Sequence, residues 1–244
     1  MRKFGLIGTR LDYSFSRSFF TDFFEKNAID ASYENIEIED LISLKTKQEY
    51  AGFSGFNVTI PYKTEIFPLL DEISPEATEI GAVNTIQIVN GKWIGHNTDV
   101  FGFKQSIKPF LNNKHERAAI LGTGGSAKAV AYVLRNIGLE VLFISRNPSG
   151  EDQFSYSNLN EYFFRSVKLL VNCTPIGTFP DVHSKPNCPT NFLTPDHLVI
   201  DLIYNPAQTQ LLAEAEAKGA ITLNGYSMLQ EQALKSWEIW NLDV

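Results

Sequence analysis

At 244 residues, 43% of them hydrophobic and 20% charged, the chain has the composition of an ordinary globular protein, long enough for one large domain or two modest ones. A formal net charge of −7 argues against a nucleic acid backbone or an anionic membrane as partner, and Cys173 and Cys188, the only two cysteines, lack the spacing of a disulfide framework or a zinc site. Gly5, Gly8 and Arg10 break the first apolar run and no later stretch approaches a membrane span, so a reduced, cytoplasmic protein without a metal is expected.

Strand-like and helix-like segments alternate along the chain, which is the pattern of an α/β fold. KFGLIG reads as a first strand. SRSFFTDFFEKNAI reads as a helix capped by Ser16, with Phe19, Phe20, Phe23 and Phe24 as its apolar stripe. SYENIEI and GFNVTI read as two further strands, and Pro61 suits the first turn of a helix carrying Lys63 and Ile66. VNTIQIVNGKWIGHN holds two strand-like runs joined by Asn90-Gly91, the pair that most readily supplies the positive φ angles of a type I′ hairpin.

After Asp99 the pattern changes. DVFGFKQSIKPF predicts a helix, and RAAILGTGGSAKAVAYVLRNIGLEVLFISRN reads as strand, glycine turn, helix and strand, a βαβ unit. SVKLLVN and HLVID predict short strands, AQTQLLAEAEAKG a helix, AITLN a strand, and the apolar spacing from about Ser227 to Trp240 a last helix. The expected organisation is a first domain over 1–100, a second over 101–226, and a C-terminal helix over 227–244 that returns to the first.

Gly122-Thr123-Gly124-Gly125-Ser126-Ala127 matches G-x-G-x-x-A between a strand and a helix. In that pattern Gly122 makes the tight turn, Gly124 lets a pyrophosphate approach the backbone, and Ala127 lets the helix pack closely on the sheet. Tight βα turns need glycines with or without a ligand, so the context of strand and helix carries this reading. The next strand ends in Ser145-Arg146-Asn147 where an NAD site has an acidic residue. An arginine there offers a planar fork of donors to a 2′-phosphate, and Ser145 adds no carboxylate to repel it, which favours NADP. The alternative is a solvated charge at the strand end.

GFNVTIPYK at 55–63, GAVNT at 81–85, GHNTDVFG at 95–102, NCTPIG at 172–177, DLIYNPAQTQLL at 201–212 and GYSMLQEQA at 225–233, with YSFS at 13–16 more loosely, together resemble the shikimate dehydrogenase family. The resemblance runs in order over nearly the whole chain. It implies reversible NADP-linked reduction of 3-dehydroshikimate to shikimate, a step of aromatic amino acid biosynthesis by way of chorismate. It also implies two α/β domains, a substrate-binding domain followed by a Rossmann-type domain, in a monomer or homodimer.

Residue by residue, the resemblance makes Lys63 the catalytic lysine and Asp99 its partner. Reduction of a ketone leaves an alkoxide that must gain a proton, and an ammonium oriented by a carboxylate can supply it. A polyhydroxy acid calls for short hydroxyl donors and amides. Ser14 and Ser16 match the family's carboxylate-binding serines; Thr59, Asn84 and Gln232 match hydroxyl-binding positions, and Tyr204 matches a pocket tyrosine. Ser16 could equally cap its helix, Asn84 shape a turn, and Gln232 sit exposed on the last helix. Asn172, Thr174 and Pro175 match the loop past the nicotinamide, and Gly225 a glycine near it.

Several positions depart from the family pattern. Tyr13 and Arg17 replace the usual His and Pro around the two serines, Pro148 follows Asn147 where Thr is common, Thr178 replaces a common Met, and the segment between Arg146 and Val167 is trimmed. Two other readings remain: a quinate/shikimate dehydrogenase of broader substrate and cofactor use, and a non-catalytic ligand-binding relative.

Overall fold

Two six-stranded sheets carry the chain in the computed structural model, which describes residues 1–9, 11, 12, 14–46 and 48–242. Tyr13, singled out above, lies outside the described residues. The chain divides into two compact units, one comprising Met1–Gly102 and Leu229–Val244, the other Phe103–Met228. Among the described residues no helix is long and apolar enough to cross a membrane.

In chain order the first unit holds β1 (Arg2–Gly8), α1 (Phe15–Lys26), β2 (Ala31–Glu37), the single-turn α2 (Ser43–Thr46), β3 (Phe53–Val58), β4 (Glu72–Ile73), α3 (Pro75–Ile80), β5 (Thr85–Val89), β6 (Lys92–His96) and the start of α4 (Asp99–Ile107). The second holds β7 (Arg117–Leu121), α5 (Gly125–Asn136), β8 (Glu140–Ser145), β9 (Gln153–Ser155), α6 (Glu161–Ser166), β10 (Leu169–Asn172), β11 (Leu198–Asp201), α7 (Gln210–Glu216) and β12 (Ile221–Asn224), followed by the start of α8 (Tyr226–Trp240).

The first sheet is mixed, in the order β2-β1-β3-β5-β6-β4. β1 runs parallel to β2 and β3, and β5 and β6 pair antiparallel through Asn90 and Gly91, whose φ values of 52° and 78° are those the hairpin requires. The phenylalanine stripe of α1 divides into fully buried Phe20 and Phe24 and partly buried Phe19 and Phe23. They pack with Phe4 of β1 and Trp240 of α8, so the C-terminal helix belongs to this core. Trp240 stacks on Phe4 at 4.5 Å between centroids and donates its Nε1–H to the Ile86 carbonyl at 2.9 Å. Gly55 lies directly beneath the indole, where a Cβ would collide with Nε1, so this strand position takes glycine to let the helix approach.

The second sheet is parallel throughout, in the order β12-β11-β10-β7-β8-β9. Its central strands are near-continuous buried apolar runs, as a sheet covered on both faces demands. The chain moves outward from β7 to β8 and β9, then resumes on the other side with β10, so the order reverses between β7 and β10. Crevices at such a reversal, beyond the carboxyl ends of the strands, are where doubly wound sheets bind ligands.

Local expectations are corrected at several points. The cap of α1 is Ser14, in extended conformation, because a turn closed by Ser14 N–H on the Leu11 carbonyl at 2.9 Å delivers the chain to the helix at Phe15. Ser16 already lies in the first turn. No helix starts at Pro61. Residues 60–65 make turns, with the Ile66 amide bonded to the Tyr62 carbonyl at 3.0 Å, and Pro68 then denies the run another α-helical donor, leaving the 3₁₀ turn Phe67–Leu69. Helix α3 has no counterpart among the elements expected from the sequence, although Ser74 caps it, Pro75 opens it and Gly81 closes it at φ 67°. At six residues it is too short for apolar periodicity to show. β9 and α6, three and six residues long, escape the sequence pattern for the same reason.

The packing of α8 makes a quantitative prediction. Trp240→Ala removes a ring that is 1% exposed, together with its hydrogen bond, and should cost about 3–5 kcal/mol. Tyr162→Ala, at a site 77% exposed, should change stability by at most about 0.5 kcal/mol. Urea unfolding followed by circular dichroism measures both, and comparable midpoints would contradict the role given to Trp240.

Candidate active site

In the first unit, β3 ends at Val58 and the turns that follow carry Lys63, whose carbonyl accepts the Val83 amide at 2.8 Å and so ties it to the approach of β5. The Lys63 side chain is 12% exposed, and its Nζ lies 2.6 Å from Oδ2 of Asp99, itself only 6% exposed. Asp99 is the first residue of α4, where free backbone amides and the helix dipole favour a carboxylate. Its other oxygen, Oδ1, accepts from Asn84 Nδ2 at 2.8 Å.

Asn84 is 3% exposed, so its role exceeds the shaping of a turn. Its Oδ1 accepts the Thr98 amide at 2.7 Å, so the side chain grips two consecutive residues of the segment that opens α4. Gln232, 7% exposed on α8 and so buried and not solvated, presents Oε1 to the Thr98 hydroxyl at 3.3 Å. Buried charges are tolerable only when paired and hydrogen-bonded, and this cluster meets both conditions.

Behind it lies a second layer absent from the sequence expectations. Asn57, 4% exposed on β3, donates from Nδ2 to Ser236 Oγ at 2.9 Å and Thr85 Oγ1 at 3.1 Å. Its Oδ1 accepts from the Tyr33 hydroxyl at 2.8 Å. Burial pushes the Tyr33 phenol far above its ordinary value, so it stays neutral, and the Ser16 hydroxyl interacts with it. Ser16 therefore faces inward and does not cap its helix. Two signals of this layer exist in the sequence: an amide between the apolar Phe56 and Val58 near the end of β3, and Ser236 one helical turn after Gln232 on the same face of α8. Thr59, which follows β3, bonds through its backbone amide to the Ile7 carbonyl at 2.8 Å, and Ser14 is half-buried at the head of α1.

In the second unit the glycine turn joins β7 to α5. Gly122 has φ 103°, a left-handed conformation that favours glycine, and a Cβ there would press on Thr174. Gly124 occupies the cap position of the 12-residue α5, and no atom lies within 4 Å of where its Cβ would be. Gly125 and Ser126 form the first turn, while Ala127 is fully buried against the sheet. A bare, open helix start beside a strand end suits a pyrophosphate, which the backbone amides and helix dipole would hold. At the end of β8, Ser145 accepts the Asn147 amide at 3.2 Å and Arg146 is exposed. Thr174 bonds to Asn172 Oδ1 through both its amide, at 3.0 Å, and its hydroxyl, at 2.7 Å. Gly225 follows β12, and a Cβ on it would collide with the Leu202 carbonyl, so close approach of two backbones explains glycine there. Tyr204, half-buried, belongs to this unit.

Known proteins share both units. The model of the shikimate dehydrogenase substrate binding domain matches residues 6–86, within the first unit. A shikimate dehydrogenase (NADP(+)) of Methanosphaera stadtmanae is 34% identical over 97% of this chain and 90% of the relative. Among solved structures, a shikimate 5-dehydrogenase of Thermus thermophilus, in complex with NADP(H) and shikimate, superposes with a TM-score of 0.87 at 32% identity, covering 99% of this chain and 94% of that one. A quinate dehydrogenase of Corynebacterium glutamicum in complex with NAD gives the same TM-score of 0.87 and 32% identity, over 98% and 93% of the two chains. Similarity of this extent over both units, and the two-domain α/β fold with a Rossmann-type second unit, place the chain in the shikimate dehydrogenase family.

Proposed function

We propose that the protein catalyses the reversible, NADP-linked reduction of 3-dehydroshikimate to shikimate, with the first unit binding the substrate and the second the cofactor. The observation that carries this reading is the Lys63–Asp99 pair, buried at 2.6 Å and held from behind by Asn84. NADPH, when bound, supplies the hydride. The chain's residues then supply the proton and the geometry.

As the carbonyl of the substrate is reduced, negative charge develops on its oxygen, and a nearby ammonium stabilises that charge and transfers its proton to the oxygen. Lys63 fills that role, and in the oxidative direction its amine takes the proton back. Asp99 orients the ammonium through Oδ2 and would accept from a substrate hydroxyl as well. Asn84, Gln232 and Thr59 offer amides and a hydroxyl to the ring hydroxyls. Ser14 and Ser16 offer donors to the carboxylate near the start of α1, where the helix dipole adds to the attraction. Tyr204 is assigned to the substrate by the family resemblance alone.

For the cofactor, the open turn Gly122 to Ala127, with Gly125 and Ser126 opening α5, receives the pyrophosphate. Ser145 and Arg146 would hold the 2′-phosphate, and Thr174 and Gly225 would take part in holding the nicotinamide end. The match of this turn to a dinucleotide rests on the left-handed Gly122 and the open space at Gly124. A quinate dehydrogenase that uses NAD is the nearest competing activity, and the absence of an acidic residue at the end of β8 speaks against it. We read the protein as a cytoplasmic monomer or homodimer.

Steady-state assays with shikimate and quinate against NADP and NAD test the reading directly, and shikimate with NADP should be the preferred pair. Within that assay Lys63→Met, which keeps the aliphatic stem and removes the charge, should lower kcat by about 10² to 10⁴-fold while shikimate KM moves far less. A folded variant with kcat within about threefold of the unaltered protein would exclude an acid/base role for Lys63.

Cofactor choice gives a second measurement. Arg146→Ala should weaken NADP binding by about 1.5 to 3 kcal/mol, the worth of a charge-assisted hydrogen bond, and leave NAD use nearly unchanged. Equal losses for both cofactors would mean that Arg146 does not read the 2′-phosphate.

A further inference from the structure

In the stretch that begins at Asp201, Tyr204 has a role in the proposed reaction and the aspartate has none. Asp201 ends β11 and is 0% exposed. Burial pushes its carboxyl up to about 6. Its donors among the described residues are all neutral: Thr209 Oγ1 to Oδ2 at 2.7 Å, and Asn172 Nδ2 and the Ile203 amide to Oδ1 at 3.0 and 3.1 Å. A buried carboxylate facing no cation costs stability. What it holds in place is therefore of interest.

An asparagine side chain can present either its oxygen or its NH₂ group in a given direction. By accepting from Nδ2, Asp201 commits Asn172 to present Oδ1 on the opposite side. That oxygen receives both donors of Thr174, and the Thr174 hydroxyl in turn accepts the Ile176 amide at 3.4 Å. The same segment lies against the glycine turn. The Cys173 amide bonds to the Leu121 carbonyl at 3.0 Å, and the Thr174 methyl group would lie 3.2 Å from a Cβ on Gly122. A reversed Asn172 amide would set NH₂ against the Thr174 amide, donor against donor, and push the loop off the turn.

We propose that Asp201 is a positioning residue for the cofactor loop: it fixes the orientation of the Asn172 amide and, through it, the place of Thr174 beside the glycine turn. The proposal rests on the second unit being the NADP-binding domain. Asp201 touches neither the substrate nor the proton in transit, so its removal should be felt in cofactor affinity. Asparagine at this position keeps an oxygen for Asn172 and Ile203, while its NH₂ can donate to the Thr209 hydroxyl, so it should preserve the arrangement. Leucine preserves the volume but removes the acceptor.

The test is calorimetric titration of the full chain with NADP, for the unaltered protein, Asp201→Leu and Asp201→Asn, with shikimate KM as the control. The expected result is an NADP Kd raised more than threefold in Asp201→Leu, with Asp201→Asn within threefold of the unaltered protein and shikimate KM within threefold in both. If Asp201→Leu fails to fold, Asn172→Ala replaces it, with the same rise in Kd expected. A folded leucine or alanine variant with Kd within threefold, or equal rises in Asp201→Leu and Asp201→Asn, would overturn the proposal. Failure of the unaltered protein to bind NADP would instead overturn the functional reading beneath it.

Discussion

Asp99 accepts two unlike donors at once, and the candidate site depends on that division. One oxygen meets the Lys63 ammonium and the other the Asn84 amide. The carboxylate compensates an ammonium that burial deprives of hydration, and it fixes a lysine stem with enough rotatable bonds to take its charge elsewhere. The neutral bond from Asn84 prevents the carboxylate from turning toward Lys63 with both oxygens, so the pair is held in one geometry. A lone surface pair of the same residues would be worth little.

Three parts of the chain distant in sequence make that geometry. Asn84 stands before β5, Thr98 and Asp99 open α4, and Gln232 and Ser236 come from α8. The aromatic core explains how a helix at the far end of the chain can contribute. Trp240 anchors α8 against Phe4 and the Ile86 carbonyl, and Gly55 clears the space it needs. The polar residues of α8 are then carried to the cluster by helical spacing. Packing energy from the apolar face thus fixes polar groups that contribute little stability themselves. In the second unit Gly122 and Ala127 play the corresponding part, since one bends the strand end and the other seats α5 on the sheet.

Much of the fold is legible in the sequence where a signal is local. Asn90-Gly91 specifies its hairpin through backbone conformations alone, and the glycine turn between a strand and a helix is read in the same way. Signals fail where two local rules compete. Pro61 suits a helix start, but Pro68 is too near to let one grow; Ser16 suits a cap, but a turn from Leu11 starts the helix earlier and leaves Ser16 to face Tyr33. The roles of Lys63, Asp99, Asn84 and Gln232 come from resemblance and not from spacing, because Lys63 and Asp99, 36 positions apart, and Asn84 and Gln232, 148 apart, meet only through tertiary packing. Tyr33 lies in no motif, and the stretch GFNVTIPYK that contains Asn57 assigns it no role. Their importance lies in a buried hydrogen bond that only the paired strands bring about.

The most direct test of this account is kcat and shikimate KM for Asp99→Asn at saturating NADP, with circular dichroism to establish folding. An asparagine can keep its oxygen toward Asn84, but it then turns an NH₂ group toward the Lys63 ammonium and releases it. kcat should fall by about tenfold or more and shikimate KM should rise, while NADP affinity stays as it was. A folded variant with kcat and shikimate KM both within about threefold of the unaltered protein would show that the carboxylate neither orients Lys63 nor holds the substrate.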